Sequence, residues 1–355
     1  LLDFYYSYNA NVHRADYQLA NKSTKEYEKA RKIVASFINC DLSEIIFTKG
    51  TTESINLIAY TWAQDLKEND EIIISEMEHH SNIVPWQMII SQKKIKLQYI
   101  PLLDNGELNL DSLQSLLNSR TKLVSLTQMS NTLGTINPIS KMISTIKQYN
   151  DDIKVIVDGA QSISHLTIDV KKMNCDFFAF SGHKIMGPTG VGVLYIKKEI
   201  MDIMNPFLMG GHMIKEVKKF NSNWNNSPWK FEAGTANIAQ VIGLGEALNY
   251  FNKIGIKNIN NHESILLSTL IKNLRQNKLI QIYGHTKEEG PVISFNVKGC
   301  HPYDIAKLLD THNIAIRSGH HCTQRLMNSL GIKYTNRLSL YAYNSVKDIN
   351  FFIEK

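Results

Sequence analysis

Apolar runs of strand length recur along the chain, at DEIIIS (70–75), KLVSLT (122–127), KVIVD (154–158), DFFAFS (176–181) and VGVLYI (191–196). They are rich in β-branched and aromatic residues, and stretches with helical spacing lie between them, such as 111–117 and 139–149. The alternation predicts βαβ units, and hence an α/β fold with a mostly parallel central sheet and helices on both faces. Beyond residue 249 the pattern becomes helix (258–277), strand (291–297), helix (302–312) and strand (314–317). It predicts a smaller C-terminal α+β domain over 250–355, following a large domain over 1–249. The polar stretch FNSNWNNSP (220–228) reads as an exposed loop.

Composition narrows the class. A chain of 355 residues, 43% hydrophobic and 20% charged, can bury a sizeable core. The net charge of +6 is spread along the sequence, so nucleic acid is not an expected partner. No apolar run approaches the roughly 18 residues of a membrane helix. Four cysteines, Cys40, Cys175, Cys300 and Cys322, show no paired spacing, which predicts a soluble protein in a reducing compartment. The chain opens at Leu1 without a leader, so any targeting segment is expected to lie outside it. A cytoplasmic location, or a plastid-type organelle if a leader was removed, is the expectation.

In open α/β sheets ligands gather at the carboxyl ends of the strands, where the chemically distinctive residues here also sit. The run 70–75 leads into Glu76, His79 and His80; 122–127 leads into Ser130 and Asn131. Asp158 closes 154–158 and precedes Gln161, and 176–181 ends in Ser181, His183 and Lys184. A lone polar residue at a strand end is most often a cap; four successive clusters are not. A lysine and a carboxylate so placed suit pyridoxal 5'-phosphate, which needs an amine for its Schiff base, an acid beside its ring nitrogen and donors around its phosphate. Lys184 supplies the first, Asp158 the second, and Lys49-Gly-Thr51-Thr52-Glu53 a glycine turn into a helix start for the third.

The segments GTTESINL, MEHHSNIVPW, SNTLG, VDGAQS, FSGHKIMGPTGVG, PWKFEAGT and RSGHHC together resemble the motifs of the cysteine desulfurases of SufS type (group II). These are class-V aminotransferase-family enzymes of pyridoxal-phosphate fold type I, the aspartate-aminotransferase-like fold. The resemblance implies that Lys184 carries the cofactor, Asp158 pairs with the ring nitrogen and His79 stacks on the ring. Gln161 would face the phenolic oxygen with Asn131 nearby, and Arg337 would clamp the substrate carboxylate. Thr52, Ser181 and His183 would hold the phosphate with Thr235 from the partner subunit of a homodimer. There are departures. Arg325 stands where a proline is common, Gln128 where a histidine is frequent, and both chain ends look trimmed relative to the family.

Cys322 follows two histidines, and three adjacent residues cannot all face one metal ion, so no metal site is expected there. Burial, the usual fate of a free cysteine, suits Cys40 and Cys175. Cys322, between Arg317 and Arg325 in a polar, positive segment, suits a thiolate nucleophile. The expected reaction converts L-cysteine to L-alanine and leaves a persulfide on Cys322 for iron-sulfur cluster assembly. Lys184 is the general base, and His79 a candidate proton carrier. Other readings stay open: a selenocysteine lyase, another class-V enzyme, or a non-catalytic scaffold in a sulfur-transfer complex. Because Cys322 lies close behind the strand expected at 314–317, the persulfide should stay recessed and require an acceptor protein of SufE or SufU type.

Overall fold

The structure is a computed structural model and describes residues 1–284, 286 and 288–355. The central sheet has seven strands: β1 (Ile45–Thr48), β2 (Glu71–Ser75), β3 (Lys96–Ile100), β4 (Thr121–Thr127), β5 (Lys154–Asp158), β6 (Phe177–Ser181) and β7 (Gly192–Ile196). Their spatial order is β1-β7-β6-β5-β4-β2-β3. From β6 to β3 all neighbours are parallel, whereas β7 runs antiparallel to both β6 and β1. It follows that β1 points the same way as β6. The segments leaving β1, β2, β4, β5 and β6 therefore all emerge on one edge.

The runs are continuously apolar because both faces of the sheet are covered. Successive side chains alternate between two cores. Val124, Val155, Val157, Phe178 and Phe180 enter one; Leu123, Ile156, Phe177 and Ala179 enter the other. Gly192 permits a close approach at the edge that matters, since a Cβ there would lie 2.4 Å from the Cα of Gly50. The turn after β1 is thereby drawn against the start of β7.

All five runs in the first half of the pattern form strands, and the helices expected at 111–117 and 139–149 are found as Leu110–Leu116 and Ile139–Tyr149. The short strands β1 and β3 were not expected. The exposed loop expected at 220–228 needs correction. Its Ser222–Trp224 forms β9, which pairs with β8 (Ile214–Val217), although Phe220 is 90% exposed at the turn. A ribbon with both faces open shows no apolar alternation to read.

The second sheet, β10 (Ile280–Tyr283), β11 (Val292–Val297), β12 (Arg317–Gly319) and β13 (Thr335–Ser339), is antiparallel in the order β10-β11-β13-β12. The helices Ile256–Leu274 and Val346–Glu354 share its core through Leu266, Leu270 and Ile349, against Ile293, Phe295 and Leu338. The strand expected at 314–317 begins only at Arg317, because it pairs with Arg337 and not earlier. The division placed after residue 249 falls inside the helix Ile238–Ile254, whose Phe251 still lies in the large core. Among the described residues no helix is long and apolar enough to cross a membrane.

Candidate active site

The carboxyl edge opens into a cavity of about 210 Å³ lined by Thr51, Thr52, His79, Asn131, Asp158, Gln161, Ser181, His183, Lys184 and Arg337. These are the residues that the strand-end pattern and the motifs singled out, apart from Thr235 and Cys322. Thr235 instead lines a smaller neighbouring cavity of about 110 Å³ with Lys49 and Glu53. Arg317, noted in the sequence only as a nearby charge, also faces the larger cavity.

Asp158 ends β5 and is 3% exposed; its Oδ1 accepts from the Ala160 N–H at 2.9 Å. Burial pushes its carboxyl up to about 6, with the Ala160 N–H and Lys184 opposing. Lys184 follows β6 in a single helical turn, and burial holds its amine below the ordinary lysine value, reinforced by Arg337 and opposed by Asp158. Such an amine loses its proton more easily than a surface lysine, as a base requires. Thr51 begins the helix Thr51–Tyr60 directly after Gly50, and Ser181 Oγ accepts from its N–H at 2.9 Å and meets its hydroxyl at 2.8 Å. A helix amino end with hydroxyls beside it suits a phosphate.

His79 caps the turn His80–Asn82: the Ser81 N–H donates to its Nδ1 at 3.1 Å. That bond makes Nδ1 the acceptor and leaves the ring proton on Nε2. Burial first, then His80, Lys184 and the two arginines, hold its pKa down to about 4, so the imidazole is neutral near pH 7. The loop itself is fixed from below by Glu78, which is fully buried. It accepts from Ser75 Oγ at 2.5 Å, Asn82 Nδ2 at 2.7 Å and the Thr127 N–H at 2.8 Å, binding the ends of β2 and β4 together. Sequence reading passed over Glu78, because a carboxylate inside a motif already rich in functional groups carries no separate signal.

Arg337, on β13, donates from Nη1 to the Asn131 carbonyl at 2.9 Å, while its buried Nε has no hydrogen-bond partner among the described residues. Burial and then Arg317 lower it to about 10, so it keeps its charge at neutral pH. Arg337 lines the cavity, and a guanidinium there suits an anion. The Asn131 side chain itself is engaged, donating to the His321 carbonyl at 2.8 Å. Gln128, the departure noted near β4, accepts from Ser162 Oγ at 2.7 Å and so joins the segments after β4 and β5.

Cys322 sits just beyond β12. His321 and Cys322 both have left-handed backbones, with φ of 52° and 59°. Each such residue costs roughly 1–2 kcal/mol, and tertiary contacts must offset it. The His80 N–H donates to the Cys322 carbonyl at 2.8 Å, the Cys322 N–H to His320 Nδ1 at 3.1 Å, and His321 Nε2 lies 2.9 Å from the Thr335 hydroxyl. Arg317 Nη2 stands 3.6 Å from Cys322 Sγ, a charge-assisted contact that a thiolate can accept. Cys175 is fully buried and Cys40 half-buried, and burial pushes both thiols up, as inert packing residues require.

A lysine amine, a buried carboxylate, a neutral imidazole and an anion cradle meet on the carboxyl edge of this sheet. Together with the smaller C-terminal sheet domain they define a pyridoxal-phosphate enzyme of fold type I. The aminotransferase class-V family model matches residues 1–352. The chain is 46% identical to a cysteine desulfurase of Wigglesworthia glossinidia brevipalpis over 97% of its own length and 84% of that protein. It superposes on the apo cysteine desulfurase of Thermococcus onnurineus NA1 with a TM-score of 0.96 at 39% identity, covering 99% of this chain and 88% of that one. For the cysteine desulfurase CsdA of Escherichia coli, solved as the S-sulfonic acid, the TM-score is 0.93 at 37% identity, with the same coverage. The chain belongs to the class-V aminotransferase family, and within it to the cysteine desulfurases.

Proposed function

We propose that the chain uses pyridoxal 5'-phosphate to convert L-cysteine to L-alanine, leaves the sulfur as a persulfide on Cys322, and supplies it to iron-sulfur cluster assembly. The observation that carries this reading is the guanidinium of Arg317, which lines the cavity shared by Lys184 and Asp158 and also contacts Cys322 Sγ. One charged group thus joins a cofactor-type pocket to a candidate sulfur acceptor.

The residues present fit the cofactor. Lys184 would hold it covalently, Asp158 would pair with its ring nitrogen, and His79 would lie on the ring. Thr51, Thr52, Ser181 and His183 would hold its phosphate, with Thr235 delivered by a partner subunit. When bound, it supplies an electron sink for carbon–hydrogen and carbon–sulfur cleavage. The remaining work is done by the chain. Arg337 offers its guanidinium, on the cavity wall, to the substrate carboxylate. Lys184, as a free amine, takes the α-proton. His79, neutral and with a proton on Nε2, can exchange a proton with the substrate thiol. Sγ of Cys322 attacks the substrate sulfur; a sulfur–sulfur bond forms as the carbon–sulfur bond breaks, and the electron pair of that bond stays with the β-carbon. Proton return then gives alanine.

The short, hydrogen-bonded segment around Cys322 favours the SufS-type group. The acceptor would be a SufE- or SufU-like protein with its own reactive cysteine. Four free cysteines are consistent with a reducing compartment. The test is mass spectrometry after incubation with L-cysteine: added sulfur is expected on the peptide bearing Cys322, and Cys322→Ser should bind cysteine yet yield no persulfide. Sulfur found on Cys300 instead overturns the assignment.

A further inference from the structure

We propose that Arg325 is a positioning residue for Cys322: by clasping Glu76 it locks the helix Gln324–Ser329, and with it the cysteine segment, onto the loop that follows β2. The inference rests on the reading of Cys322 as sulfur acceptor, and one arm of its test is independent of that reading.

Cys322 is held from two sides. Ahead of it β12 is fixed by pairing with β13; behind it, only three residues on, Arg325 stands in the first turn of the helix Gln324–Ser329. Glu76 uses both oxygens on that one helix, Oε1 accepting from Arg325 Nη2 at 2.5 Å and Oε2 from Ser329 Oγ at 2.6 Å. Donors four residues apart lie on one face a turn apart, so the carboxylate fixes the helix's rotation as well as its distance. The guanidinium carbon lies 5.0 Å from the ring centroid of Tyr99, on the edge strand β3. Leu326, fully buried, anchors the helix in the large core. Two further bonds tie the same loops together: His80 N–H to the Cys322 carbonyl at 2.8 Å and Gln324 N–H to His80 Nε2 at 3.1 Å.

Arg325 touches neither the cavity nor Cys322 Sγ, so its effect must pass through backbone placement. The left-handed pair His321–Cys322 stores strain that a loosened helix would release. A shift of about 1 Å in a nucleophile can slow its reaction by about 100-fold. Glu76 is 14% exposed and Arg325 46%, so the pair contributes little to global stability, and its removal should read out locally.

The experiment measures two quantities on the loaded enzyme. One is the iodoacetamide alkylation rate of Cys322, normalised to exposed Cys300; the other is the single-turnover rate of persulfide formation. In R325A, alkylation of Cys322 should rise at least fivefold and persulfide formation fall at least fivefold, with the melting temperature little changed. R325K, which keeps the charge but not the fork, should recover part of both. The losses in the double variant R325A/E76A should be clearly less than the sum of those in R325A and E76A, since both deletions break the Arg325–Glu76 contact and only E76A also frees Ser329. Rates within twofold of the parent in R325A, or additive losses in the double variant, refute the proposal. The alkylation arm reports on the clasp even if sulfur were carried elsewhere.

Discussion

Replacing Arg337 by alanine tests the substrate site most directly. The guanidinium has one N–H on the Asn131 carbonyl and lines the cavity that holds Lys184. A carboxylate arriving there forms a charge-assisted pair, largely shielded from water. Truncating one side of such a pair costs about 2–5 kcal/mol. Taking about 3 kcal/mol, and 1.36 kcal/mol per factor of ten, the loss is roughly two orders of magnitude in kcat/KM. A clamp on the substrate carboxylate would grip it in ground state and transition state alike, so the change should fall mainly on KM for L-cysteine. R337K keeps the charge but presents a point donor, and should recover part of the loss. The assay is alanine production against cysteine concentration, with cofactor content measured by absorbance in each variant. A KM for R337A within threefold of the parent, at equal cofactor content, would remove Arg337 from substrate binding.

K184A should lose turnover and the visible absorbance of the lysine-linked cofactor; alanine production at the parent rate refutes the assignment of the base. Asp158 gives a pH test on cofactor-stripped protein. Its folded pKa of about 6 lies above the ordinary aspartate value of 3.8, so the folded state binds the proton more tightly. Stability from this group is therefore greatest below pH 4 and declines as pH rises to about 6, by roughly 2–3 kcal/mol in all. D158N should remove that decline, so its melting temperature should gain on the parent between pH 4 and 6; a gain that shrinks with rising pH contradicts the reasoning. Finally, rapid mixing with cysteine should give one fast sulfur equivalent per site, then slow turnover that a SufE-type acceptor accelerates several-fold. Equal steady-state rates with and without the acceptor argue against a recessed persulfide.

The ligand edge was legible in advance because each parallel strand is buried on both faces and reads as an unbroken apolar run. The polar residue that ends it is then conspicuous, as with Asp158 after KVIV and Lys184 after FFAFS. Strands without that contrast were missed. β3 is half exposed along most of its length and β9 carries two asparagine-flanked positions in a ribbon open to solvent, while β12, expected over 314–317, was placed too early because it takes its register from Arg337 across the small sheet.

By itself, then, the sequence determined the α/β order and the polar residues that follow its strands, among them His79, Asp158 and Lys184, which line one cavity. Periodicity and motif are local properties, and one chain suffices to read them. Only the tertiary structure decided how those groups are held. Glu78 joins β2 to β4 from beneath, Arg317 reaches both the cavity and Cys322 Sγ, and Glu76 finds Arg325 across some 250 positions of chain. Side-chain hydrogen bonds between distant segments leave no period in the sequence. Their partners are chosen by the packing of the two sheets, and that choice turns an ordinary-looking Arg325 into a support for the cysteine.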